Sequence, residues 1–284
     1  MSADDMSARP PRPAPPALAA GAVRVFSLSL GEMLWSRRTV FLLLVTGAPV
    51  FLALVVRIVQ GSGIVPVRVN GTALDGGVIF GVMIWQIFLR FLVPVLGVFY
   101  GTSLIADEIE DRTITYLFTR PIRRGAVLVG KYLAYLTCTT LIVLPSVVLV
   151  FFLLVPLAQV GRQFVAFAID LGLLALGLAA YGALFALVGA TLKRPLVSGL
   201  VFVFGWEQIA LLVPGSFKRL TIGHYVQALA PHAMPSDSLT SVLQSIVKDN
   251  PPPLVCIAVL AVITAATLWL GARAVEAREY VLDQ

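Results

Sequence analysis

Few residues in this chain could carry out chemistry, and the first candidate fails at its last position. Gly125-Ala126-Val127-Leu128-Val129-Gly130-Lys131 has the G-x-x-x-x-G-K spacing of a phosphate-cradling turn. Tyr132 follows where such a turn needs a Ser or Thr hydroxyl for magnesium, and the four residues between the glycines are apolar. The segment therefore reads as the opening of a membrane helix, with Lys131 reaching back to the interface. His224 and His232 are the only histidines, and neither has a cysteine or clustered acids nearby to complete a metal site. Cys138 and Cys256 lie in separate apolar runs and read as small buried side chains. No Ser/His arrangement suggests a protease.

Arg90 and Glu207 are stronger candidates, because each lies inside a long apolar run. Charge in such a run is costly, and its presence points to function. At ~1.5 Å per residue, Arg90 is about 22 Å from Ile105 and Glu207 about 18 Å from Pro195, depths that allow the two to pair. The pair would be either a polar contact lining or gating a pathway, or a structural ion pair between packed helices. Asp170, in another run, is expected near the outer interface.

The segment 107–124, DEIEDRTITYLFTRPIRR, is ordered by charge. Asp107, Glu108, Glu110 and Asp111 come first; Arg120, Arg123 and Arg124 come last. A short helix from Arg112 to Thr119 would have acids at its positive end and bases at its negative end. Pro121 disfavours a helical Arg120 and ends it. Ile114, Leu117 and Phe118 then form a small apolar face between two charge clusters, which suits a docking surface.

The elements that must hold these residues follow from composition. Of 284 residues, 58% are hydrophobic and only 13% charged, and mean hydropathy is +0.93. Soluble domains carry roughly 25% charged residues, so an ordinary soluble enzyme, a disordered chain and a disulfide scaffold are excluded. The net charge of +6 fits basic cytoplasmic loops better than nucleic-acid binding. The expected fold is all-α, a polytopic membrane protein. Residues 1–20, rich in Pro and Ala, read as a disordered tail. Residues 21–38 read as an interfacial amphipathic helix, with Val23, Phe26, Leu30, Met33 and Leu34 on one stripe. Residues 39–284 form the transmembrane domain, with six apolar spans at about 40–59, 78–105, 132–157, 164–192, 195–214 and 254–272, each near the ~20 residues that cross a bilayer. Ala158 to Gln163 are expected to divide the third span from the fourth. Pro49, Pro94 and Pro145 are candidate kinks, and Gly77-x-x-x-Gly81 and Gly97-x-x-x-Gly101 allow close helix packing. With both termini inside, 14 of the 21 basic residues fall on the cytoplasmic side. In the outside segment 215–253, Ser236 or Asp237 could cap a helix bearing Leu239, Val242, Leu243 and Ile246.

The run from Glu108 through Thr113, Tyr116, Leu117, Phe118, Arg120, Pro121 and Arg124, followed by Gly130-Lys131-Tyr132, resembles the loop of ABC-2 type transporter permeases. That family has a Glu, a Thr-x-x-Tyr-Leu and an Arg-Pro-x-x-Arg in this order between its second and third spans. Its six-span layout, amphipathic N-terminal helix and outer helices between spans five and six are also similar, so the resemblance covers residues 21–280. It implies a plasma-membrane (bacterial inner-membrane) permease that pairs with a second copy and is driven by separate cytoplasmic ATPase subunits. Residues 107–124 would then be the coupling helix seated in an ATPase groove. No cofactor is expected in this chain; ATP and Mg would bind the partner, and no nucleic acid is involved. An ion-coupled secondary transporter, with Arg90 and Glu207 as its polar site, and a membrane-embedded enzyme are the alternatives. No internal repeat supports the former, and the scarcity of His and of paired intramembrane acids argues against the latter.

Overall fold

The computed structural model describes residues 18–62, 68–69, 72–73, 75–110, 124–212, 216–231 and 251–277. Its helices are α1 (Leu18–Leu34), α2 (Arg37–Ser62), α3 (Gly76–Ala106, continuing to Glu110), α4 (Arg124–Leu154), α5 (Leu157–Thr191), α6 (Pro195–Ala210, continuing to Leu212), α7 (Ile222–Leu229) and α8 (Pro253–Ala277). A 3-10 turn spans Ser216–Leu220, and two-residue strands β1 (Arg68–Val69) and β2 (Thr72–Ala73) pair antiparallel. Residues 111–123 of the expected coupling segment, the helix expected after Ser236, and residues 1–17 lie outside the described residues.

Five helices, α2, α3, α4, α5 and α8, are long and apolar enough to cross a bilayer. The expected fifth span is the shorter helix α6, whose Pro195–Ala210 stretch covers about 24 Å at ~1.5 Å per residue. The division between spans three and four also differs from expectation. It falls at Val155–Pro156, and Ala158 to Gln163 belong to α5. Pro156, extended at ψ 141°, serves as the N-cap of α5, a position where its missing N–H costs nothing.

α1 packs along α4, and Leu30, Met33 and Leu34 of the expected stripe pack against the core. Ala22, Val25 and Ser29 are buried, whereas Val23 is 64% exposed. The cause is the surface of α4. A Cβ at Gly130 would sit 2.6 Å from the Ala22 carbonyl oxygen and 2.8 Å from Val25 Cβ, so the glycine lets this turn of α1 lie directly against α4. Gly125, at the other end of the G-x-x-x-x-G-K pattern, likewise approaches Ala272 and Glu276 of α8. The pattern is a helix with two packing notches, not a loop.

α5 forms the centre. Gly97 and Gly101 of α3 face it, with positions for their Cβ atoms 2.7 Å from Tyr181 Cβ and 2.8 Å from Phe185 Cβ. Tyr132 and Tyr135 of α4 donate to the Ala179 and Leu178 carbonyls of α5 at 3.0 and 3.1 Å. Phe80, Phe151 and Phe167 fill the space between α3, α4 and α5, with Phe151 and Phe167 stacked at 4.2 Å. Around Pro94, α3 is wound in wide i→i+5 turns over Ile84–Leu92 and Gly97–Gly101, and α6 is wound the same way over Phe202–Glu207. Such turns often accompany functional sites, and here they carry Arg90 and Glu207.

Candidate functional site in the membrane helices

Arg90 and Glu207 do not meet. Each takes a different partner, and two polar clusters result. In the first, Arg90 Nε and Nη2 both donate to Gln208 Oε1, at 3.3 and 2.9 Å. The guanidinium also lies 5.6 Å from the Trp85 ring centroid, within cation–π range. Sequence reasoning missed Gln208 because an uncharged amide next to a carboxylate gives no signal of its own.

In the second cluster, Glu207 is 2% exposed. Its Oε1 accepts a short hydrogen bond from Tyr181 of α5 and another from Gly223 N of α7 at 2.8 Å. Oε2 is buried without a hydrogen-bond partner. A Cβ at residue 223 would lie 2.9 Å from Oε1, so this approach needs glycine. Thr221, 1% exposed, is the N-cap of α7 and accepts from His224 N at 3.3 Å. Between them, Glu207 and Thr221 occupy two N–H groups that the first turn of a helix leaves open, and the carboxylate faces the positive end of the helix dipole.

The depth of this junction explains why it must be satisfied. Val226 of α7 and Val93 of α3 both pack at Gly177 of α5. Gly177 lies about 30 Å from the start of α5 and about 21 Å from its end at ~1.5 Å per residue. α7 therefore reaches the middle of the bundle. Non-helical backbone at such depth is tolerated only where protein meets its polar groups.

Asp170, expected near the outer interface, is 0% exposed. α5 begins at Leu157, which puts Asp170 about 20 Å along the helix at ~1.5 Å per residue. His224 stands beside Tyr225 in an edge-on ring contact at 5.3 Å; His232 lies outside the described residues. Cys138 and Cys256 are free and buried. No group of three potential metal ligands occurs among the described residues. Of the loop residues, Glu108 and Glu110 fall on the helical extension of α3 and Arg124 opens α4. Asp111, Thr113, Tyr116, Leu117, Phe118, Arg120 and Pro121 lie outside the described residues.

A charged side chain at mid-membrane costs about 2.5–3.5 kcal/mol on insertion scales. Arg90 offsets that with one neutral amide and one indole face. The arrangement contains no nucleophile–base pair and no described metal cluster; what it can do is hold charge at depth. The sequence matches the family model described as ABC-2 family transporter protein over residues 36–274. No curated relative matches it.

Proposed function

The chain belongs to the ABC-2 family of transporter proteins, and on that premise we propose that it is the permease subunit of an ATP-binding cassette exporter. Two copies form the translocation pathway. A separate cytoplasmic ATPase binds ATP and Mg and drives it. α2, α3, α4, α5, α6 and α8 are the six spans, α1 lies in the interface, both termini are cytoplasmic, and the membrane is the plasma membrane.

The observation that carries this reading is the segment between α3 and α4. Its acids come first, its apolar residues Ile114, Leu117 and Phe118 in the middle, and Arg120-Pro121-Ile122-Arg123 last. Acids can attract basic residues of a partner, and the apolar face can fill a groove. Anchors of that kind dominate interfaces, at about 2 kcal/mol or more each.

Leu117→Asp should insert normally, because it leaves the spans untouched, yet lose the ATPase in pull-downs. Charge reversal at Glu108 should weaken association less, since salt screens a rim charge. Full association and transport by Leu117→Asp would remove the coupling role. An ion-coupled transporter would purify without any ATPase.

A further inference from the structure

We infer that Arg90 and Gln208 form the recognition site for an oxyanion on the transported molecule, and that this molecule is an amphiphile bearing a phosphate or carboxylate. The inference rests on reading the chain as a transport domain.

The first ground is an uncompensated charge. Arg90 lies about 21 Å from Gly76 and about 24 Å from Ala106 at ~1.5 Å per residue, near the middle of α3. Its guanidinium spends two donors on a single neutral oxygen of Gln208. Arginine has five N–H groups in a fixed fork and stays charged. The planar fork matches a phosphate or carboxylate in bidentate geometry.

The second ground is that, among the described residues, no acid pairs with it. The acids deep within the apolar helices are Asp170 and Glu207, which are 0% and 2% exposed in their own chain. Glu207 turns its Oε1 to Tyr181 and Gly223. A second copy of this chain packed over Arg90 would bring the same buried acids and another Arg90. A molecule that enters the site would supply the counter-charge.

The third ground is what surrounds the charge. Arg90 is half-buried, and Gln86, one turn earlier, is exposed. Phe91 and Phe204 are both 50% exposed, with ring centroids 6.3 Å apart, and Trp206 is also exposed. A cationic fork bonded to an amide and next in sequence to an exposed ring suits a ligand with an anionic head and an apolar body.

The test uses the purified full-length chain in dodecyl maltoside, which supplies a large excess of neutral amphiphile. Radiolabelled dodecyl phosphate should bind saturably and be displaced by dodecanoate but not by dodecyltrimethylammonium. Arg90→Gln should weaken binding about tenfold or more, as expected for loss of a charge-assisted contact. Arg90→Lys and Gln208→Leu should fall between that and the parent, and they serve if Arg90→Gln does not fold. Unchanged affinity in the folded variants overturns the inference, as does displacement by inorganic phosphate as effective as by dodecyl phosphate. Mass spectrometry of co-purified lipid separates the sources. An anionic lipid retained by the parent and lost in Arg90→Gln identifies a headgroup; none retained identifies a non-lipid amphiphile. Association with the ATPase is scored on the same variants. Normal association with unaltered binding sinks this site and leaves the exporter reading standing, whereas absence of an ATPase sinks the exporter reading alone.

Discussion

Glu207 Oε1 takes donors from two elements at once, so its removal should cost more than the loss of either bond. Glu207→Ala would leave Gly223 N and the Tyr181 hydroxyl buried without an acceptor, at about 1–3 kcal/mol for each. Tyr181→Phe removes donor and hydroxyl together and leaves the Gly223 bond in place. The thermal unfolding midpoint in detergent should therefore fall clearly in Glu207→Ala and only slightly in Tyr181→Phe. Equal midpoints for the two would mean that the carboxylate does not hold α7. Sequence alone flagged Arg90 and Glu207, because charge in an apolar run is visible from composition. Their partners were not visible. Tyr181, Gln208 and Gly223 are ordinary residues in such runs, and only the packing of α5, α6 and α7 brings them to the charges.

Helix contacts in this fold are made by small residues, which limits what pattern reading can find. Gly97 and Gly101 show their spacing in the sequence, and both meet α5. Gly101→Leu should lower thermal stability, since overpacking typically costs about 1–3 kcal/mol. Gly161→Leu, where a Cβ meets nothing within 4 Å, should leave it unchanged. If both variants melt like the parent, the α3–α5 contact is not tight. The stripe on α1 was misplaced only at its start: Val23 is exposed, and Ala22 and Val25 on either side of it meet α4 at Gly130. The boundary at Pro156 was missed because the only charge nearby, Arg162, drew the division into α5. The resemblance implied outer helices between spans five and six, but the residues of α7 were not picked out; its signal is the single N-cap Thr221, without a long periodic face behind it.

At the scale of the whole chain, composition was enough to identify a helical membrane protein, and the ordered motif residues of 107–124 together with the span layout were enough to suggest the family. Side-to-side orientation rests on the distribution of basic residues. In a variant lacking Cys138 and Cys256, a cysteine at Ser216 or Ser241 should react with an impermeant maleimide on intact cells. One at Thr113 should react only after permeabilisation. Reversed labelling would overturn the orientation and the coupling role together. The depth of α7 has a further consequence, and it is electrical. A break in helical backbone halfway through a membrane protein is a place where water and ions could cross. Glu207 and Thr221 occupy the N–H groups at that break, and Val226 fits against Gly177. With those groups met by protein, the junction would act as insulation, keeping the backbone break closed to water and ions.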